Sequence, residues 1–288
     1  MSKKLTDNVS SAENQQAMSQ AMFYYTGFCC GEMSCSLLRL SNRKSKSGGV
    51  YYTPDITISN ADFSLLQEIN QVVGDGIGVM SPIKGGYNLS FRGKLKVKKI
   101  ISFFEKYSPI VGDIVLSRLQ LLQKAIELLE SQRGLRRSQE QQNQLEEIRK
   151  KLRVIKVTAI PSSNFLKEIF DREAIGHFLS GVLDAEGSVG MKKNGNRKQP
   201  FVAVAMRDRK IIELFLTYLK YGNIHFRPKD NVYHFEIGAR QEVLTVIKMF
   251  SEEFPSKLLK MKSRIIALQQ VLNDYTPRRN KIVPHDIV

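Results

Sequence analysis

Two glutamates, Glu32 and Glu186, each close an apolar stretch rich in small residues: FYYTGFCCGE (23–32) and GHFLSGVLDAE (176–186). Two carboxylates brought together repel unless a cation lies between them, and hard divalent ions such as Mg²⁺ take oxygen ligands of this kind. The pair therefore reads as a metal site, provided the chain sets both acids side by side. Other chemistries find less support. His177, His225, His234 and His285 show no HxH or HExxH spacing, which argues against a zinc enzyme. Cys29, Cys30 and Cys35 lack a four-ligand cluster or a disulfide framework, so they read as buried small residues in a reducing compartment.

The elements around the glutamates supply the positioning. Gly27 and Gly31, like Gly181 and Ala185, stand four residues apart, so each predicted helix carries a small-residue stripe against which a second backbone can approach closely. Two such helices packed as a pseudo-twofold pair would deliver Glu32 and Glu186 to one end of their interface. The chain repeats itself in a way that fits this pairing. Gly27, Gly31 and Glu32 match Gly181, Ala185 and Glu186 at an offset of 154, and Asp62, Tyr87, Leu89, Phe91 and Pro109 match Asp208, Tyr233, Phe235, Ile237 and Pro255 at an offset of 146. The change of eight falls in one loop, where SNRKSKSGG (41–49) lies opposite KKNGNRKQP (192–200).

Each half reads as α-β-β-α-β-β-α, with a further helix after Pro109 or Pro255. Period-two alternation in DITIS and FVAVAM marks strands, and Asp62 and Asp208 are placed as helix N-caps. The expected fold is α+β: a tail over 1–15, a first half over 16–129, a polar and partly helical linker over 130–164, a second half over 165–275 and a tail over 276–288. No run reaches the length of a membrane span and no signal peptide opens the sequence, so a soluble intracellular protein is expected, in a prokaryotic cytoplasm or an organelle matrix.

A net charge of +16 and a pI near 9.7 favour polyanionic partners. Arg39, Arg43, Lys44 and Lys46 in the first half, and Lys192, Lys193, Arg197 and Lys198 in the second, fall in or beside the first hairpins. Lys84, Asn88, Ser90 and Arg92, with His225, Arg227, Lys229 and His234, occupy the second hairpins. A curved ribbon with a basic polar face can enter the major groove of duplex DNA, where Arg, Lys and Asn reach base edges and flanking cations hold phosphates. Lys44 and Lys46 are expected to contribute mainly phosphate affinity.

FLSGVLDAEGSVG, with Leu179, Gly181, Asp184, Glu186 and Gly187, resembles the LAGLIDADG motif, and YYTGFCCGEMS resembles a diverged first copy. Together they resemble a single-chain, two-motif LAGLIDADG homing endonuclease over roughly 20–130 and 165–275. The resemblance implies two antiparallel sheets forming a saddle over double-stranded DNA and a monomer acting on a long asymmetric, intron-associated target. It also implies divalent metals, Mg²⁺ with Mn²⁺ able to substitute, held at the scissile phosphates by Glu32 and Glu186 with Gly31 and Ala185 beside them. Cys30 stands where the family has an acid and Met33 where it has the closing glycine. After the proline, FPSKLLKMK supplies Lys257, Lys260 and Lys262, and Lys260 is the candidate catalytic helper; Ile114 lies opposite it in the first half. The alternatives are a maturase that binds host intron RNA without needing both metals and, further off, a transcription regulator on the same scaffold.

Overall fold

The computed structural model describes residues 17, 19–41, 50–131, 138–154, 171–195 and 197–274, the side chain of Asn194 excepted. Two halves repeat one topology. In the first, helix α1 (Phe23–Glu32) runs directly into the hairpin β1 (Met33–Ser41) and β2 (Val50–Asn60), followed by α2 (Phe63–Val72), the hairpin β3 (Val79–Ile83) and β4 (Gly86–Arg92), α3 (Lys94–Lys106) and α4 (Asp113–Glu130). After α5 (Gln139–Val154), the second half repeats the order with α6 (Arg172–Glu186), β5 (Gly187–Asn194), β6 (Arg197–Met206), α7 (Arg209–Leu219), β7 (Asn223–Arg227), β8 (Val232–Ile237), α8 (Arg240–Lys248) and α9 (Leu259–Asn273). Five residues of π-helix, Met249–Glu253, extend α8.

Each half holds a four-stranded antiparallel sheet, ordered β1-β2-β4-β3 and β5-β6-β8-β7. Strand alternation divides the sheets into a covered and an open face. Met33, Cys35 and Leu37 of β1, Ile56 and Ile58 of β2, and Leu89 and Phe91 of β4 are buried in the first core. Val189, Val202, Val204, Phe235 and Ile237 do the same in the second. Each half thus has its own core.

The stretch expected to be a partly helical linker contains α5, and this helix packs on the first half. Leu145, Ile148 and Leu152 are buried in its core, and Glu146 accepts a 2.8 Å hydrogen bond from the Tyr52 hydroxyl of β2. Asp62 caps α2 as the sequence suggests, accepting from the Leu65 N–H at 3.1 Å. Asp208 occupies the N-cap position of α7, where the first-turn N–H groups of Lys210 and Ile211 stabilise its carboxylate, and it also accepts from the Ile114 N–H of α4, 3.3 Å away in the other half. Burial pushes the Asp208 carboxyl upward, which fits an acid enclosed between the halves.

Candidate active site and nucleic-acid surface

Helices α1 and α6 form the contact between the halves, and glycine permits it. A Cβ on Gly27 would lie 2.0 Å from the Phe178 carbonyl oxygen, and one on Gly181 would lie 2.0 Å from the Tyr24 carbonyl oxygen. The two contacts are twofold images, since Tyr24 and Phe178 match at the same offset as the glycines. One turn further on, a Cβ on Gly31 would meet Ala185 Cβ at 2.6 Å and Glu186 Cγ at 2.7 Å. Both motif glutamates are the last residues of their helices.

Their surroundings differ. Glu32 is half-buried, accepts a 3.0 Å hydrogen bond from Asn60 Nδ2 and has its carboxyl pushed up to about 7. Desolvation by burial is the main cause; the Asn60 hydrogen bond opposes it and the Glu186 charge adds to it. Glu186 is exposed. Each opens onto its own cavity. One, of about 550 Å³, is lined by Glu32, Asn60, Asp62, Asp184, Lys260 and Arg264 among others. The second, of about 310 Å³, is lined by Glu186, Cys30, Gly31, Ile114, Arg118, Arg207 and Asp208 among others. Lys260 belongs to the second half in sequence, yet it lies in the cavity of the first half's Glu32.

No group of three or more His, Cys, Asp or Glu side chains is arranged to hold a metal among the described residues. The donors that fit a hard divalent ion are the carboxylates of Glu32 and Glu186, whose mutual repulsion an ion would relieve. With so few protein ligands, water and a bound phosphate would complete the coordination.

The open faces of the sheets carry polar clusters beside apolar side chains such as Tyr51, Val79 and Ile83 on the first and Phe201 on the second. Cross-strand neighbours on the first are Ser36, Asp55 and Arg92, then Ser34, Thr57 and Ser90, then Ser59 and Asn88. Arg92 pairs with Asp55 at 3.0 Å, and the Ser59 hydroxyl donates to Asn88 at 2.7 Å. On the second sheet Lys192, Arg197, Gln199, His225, Arg227, His234 and Glu236 share the open face by their register. There Lys192 pairs with Glu236, and the rings of His225 and His234 stack at 4.9 Å. Arg227 pairs with Asp230 beyond the strand. Lys84 and Lys229 are exposed in the hairpin turns.

Not every cation singled out in the sequence joins this surface. Arg39 sits on the covered face of the first sheet, 3.3 Å from Glu146 of α5, because it shares the strand parity of the buried Cys35 and Leu37. Lys193 and Lys198 oppose one another on the covered-side register, at the outer end of their hairpin. Arg43, Lys44 and Lys46 lie outside the described residues.

Residues 179–281 match the profile of the LAGLIDADG endonuclease family. Most of the second half is thus similar to a LAGLIDADG endonuclease domain. The fold of the whole chain is similar to that of I-SmaMI bound to uncleaved DNA in the presence of calcium ions, with 19% identity over 89% of this chain and 94% of that one and a TM-score of 0.68. It is similar also to I-GzeII in complex with its DNA target, with 20% identity, coverage of 88% and 89% and a TM-score of 0.67. I-CpaMI bound to uncleaved DNA gives 19% identity, coverage of 88% and 90% and a TM-score of 0.68. No curated protein matches the chain in sequence.

The paired helices α1 and α6 also account for the departure at Cys30. Its counterpart Asp184 is 3% exposed and accepts hydrogen bonds from the Tyr24 hydroxyl at 2.6 Å, from the Ser256 hydroxyl, and from the Lys257 and Leu258 N–H groups at 2.7 and 2.9 Å. Lys257 continues the network to Glu68 and, at 2.9 Å, to the Tyr25 hydroxyl. Under the two offsets, Tyr24, Tyr25, Glu68, Asp184, Ser256 and Lys257 correspond to Phe178, Leu179, Leu214, Cys30, Ile110 and Val111. The apolar set packs in or against the second core. A polar shell at one end of the α1–α6 pair is therefore an apolar shell at the other, and Cys30 is one member of a matched replacement that leaves Glu32 in place. All three cysteines are free thiols. Burial raises each of their pKa values, that of Cys35 to about 12, so none is a ready nucleophile.

Sequence reasoning missed Asn60, Arg207 and Arg264 as cavity-lining residues. The repeat register alone sets Asn60 beside Asp62 and Arg207 beside Asp208, so proximity to the repeated acid was the available signal.

Proposed function

We propose that the protein is a site-specific endonuclease for double-stranded DNA that hydrolyses one phosphodiester on each strand with the help of bound divalent metal. The reading rests on one observation above the others: the twofold-packed helices end in Glu32 and Glu186, each at its own cavity, beside open sheet faces that carry Lys192, Arg197, Asn88 and Arg92. A divalent ion, Mg²⁺ or Mn²⁺, would be held by Glu32 and Glu186 beside Gly31 and Ala185, and when bound it supplies charge to activate water and to stabilise the leaving oxygen. Asn60 orients the Glu32 carboxylate. Lys260 is exposed at the mouth of the same cavity and offsets phosphate charge. Cations and amides on the open sheet faces and in the hairpin turns fix the register on DNA, with His225, Arg227, Lys229 and His234 forming the outer contacts of the second half and Lys84 of the first. The duplicated halves act as one monomer on an asymmetric site, which for an intron-encoded enzyme is the uninterrupted insertion sequence of the host gene.

The maturase reading drew on Cys30 and on the lysine missing at Ile114; the matched apolar shell answers the first of these, and the second remains in its favour. Substituting the metal acids tests the enzyme. Glu186→Gln preserves size and packing but removes the charge that faces the cation, so cleavage of a selected duplex in Mg²⁺ should fall by several orders of magnitude while binding stays within a few-fold. Glu32→Gln should behave alike. A Glu186→Gln protein that cleaves at the wild-type rate contradicts the assignment.

A further inference from the structure

The two cavities receive positive charge from different elements. The Glu32 cavity is lined by Lys260 and Arg264 of α9, both exposed. Their counterparts at the Glu186 cavity are Ile114 and Arg118 of α4. Ile114 carries no charge. Arg118 is only 6% exposed and donates a 3.3 Å hydrogen bond to the Met33 carbonyl, which holds it in the protein interior. On helix evidence alone the Glu186 cavity would lack a cation able to reach a phosphate.

Arg207 fills this gap from another direction. It directly follows β6 and lines the cavity with Glu186 and Ile114. It is exposed, and it enters no hydrogen bond or ion pair among the described residues. Its counterpart under the repeat is Ala61, which lines the Glu32 cavity opposite Lys260. The arrangement is reciprocal: Lys260 with Ala61 in one cavity, Ile114 with Arg207 in the other. A guanidinium suits the task, because it stays charged at all working pH values and can grip phosphate oxygens through two N–H groups.

We infer that Arg207 is the phosphate-contacting catalytic cation of the Glu186 cavity, supplying the charge that Ile114 does not, so that each strand of the DNA is cut with its own basic residue. This deepens the endonuclease reading and rests on it.

The test follows the two strands separately. A duplex recovered by the full-length protein from a randomised duplex library is labelled on one strand or the other, and single-turnover cleavage is measured in Mg²⁺. Arg207→Met should slow one strand about 100-fold, the size expected for loss of one preorganised charge at the reacting phosphate, and leave the other within about three-fold. Lys260→Met should slow the opposite strand. Arg207→Lys should restore most of the rate, and the Kd of Arg207→Met for the duplex in Ca²⁺ should stay within about three-fold of wild type. The inference is overturned if Arg207→Met slows both strands equally, slows neither, or acts only by weakening binding. Failure of the wild-type protein to cut either strand of a duplex it binds overturns the endonuclease reading itself, and Arg207 with it.

Discussion

Replacing Asp184 by cysteine gives helix α6 the residue that α1 already has. The first helix carries its cysteine among apolar partners, whereas Asp184→Cys would leave the Tyr24 and Ser256 hydroxyls and the Lys257 and Leu258 N–H groups without their acceptor. Tyr24 and Ser256 are 1% and 2% exposed, so water cannot replace it there without opening the interface. A buried donor stranded in this way costs about 1–3 kcal/mol. Relief of carboxylate desolvation, which raises the Asp184 pKa, offsets part of the total. We expect a net loss of about 3–5 kcal/mol, in the range found on breaking a buried charged pair. Transplanting the companions should recover some of it. Asp184→Cys combined with Ser256→Ile and Tyr24→Phe removes two of the stranded donors, so the triple variant should be about 1–2 kcal/mol more stable than the single one, a non-additivity typical of groups in contact. Urea unfolding midpoints of wild-type, single and triple variants measure both effects. An Asp184→Cys variant within about 1 kcal/mol of wild type, or a triple variant less stable than the single, refutes the account of the shell; about 1 kcal/mol is the ordinary effect of a point substitution.

Further expectations concern the helix contact, the DNA surface and the acids. Gly181→Ala places a methyl group 2.0 Å from the Tyr24 carbonyl, so it should destabilise by at least the ~1–3 kcal/mol of ordinary overpacking, and thermal unfolding will register it. Arg197→Gln removes an exposed cation from the open face of the second sheet; if it meets one phosphate, the slope of log Kd against log salt should change by about 0.9, and an unchanged slope takes Arg197 off the interface. The folded protein holds the Glu32 proton more tightly than the unfolded chain does, with a pKa raised from 4.5 to about 7. The stability this carboxyl contributes to the metal-free protein is therefore complete below its ordinary range and is lost as pH climbs through about 7. Glu32→Gln should flatten that part of the Tm profile, and Mg²⁺ should raise Tm more at pH 8 than at pH 5.5; a wild-type profile that is flat over this range contradicts the burial of the acid.

The fold was legible because duplication doubles every signal. Strand alternation, small-residue stripes and the Pro109 and Pro255 helix breaks recur in one register, so the order of elements and the two helix-terminal glutamates followed from sequence alone. Three matters depended on distances that no local pattern carries. Asp208 has the residue type and position of an N-cap, yet its carboxylate also accepts from a donor in the other half, the Ile114 N–H. Arg39 belongs to a basic hairpin, yet one step of strand parity turns it to the covered face and to Glu146. Lys260 follows the second motif in sequence, yet α9 delivers it to the acid of the first. Each brings together segments far apart in the chain.

That crossing of elements explains why the halves can differ so much while the twofold helix contact survives. Gly27 and Gly181 must both stay small, because each faces a carbonyl oxygen of the other helix. Groups farther from the axis are bound only by complementarity with whatever the other half presents. Tyr24, Tyr25 and Glu68 of the first half meet Asp184, Ser256 and Lys257 of the second, while Phe178, Leu179 and Leu214 share an apolar environment with Cys30, Ile110 and Val111. Pairing the first half with a copy of itself would set Tyr24 and Glu68 against Ile110 and Val111, so that Tyr24 loses its acceptor and Glu68 its counter-charge, keeping only the Tyr25 hydroxyl. Pairing the second half with its copy would set Asp184 against Phe178, so that it loses the Tyr24 donor, and would set Lys257 against Leu214 in place of Glu68. Covalent linkage is thus compatible with two surfaces that complement each other better than they complement themselves, while the glycines at the axis and the two glutamates retain the symmetry of the duplication.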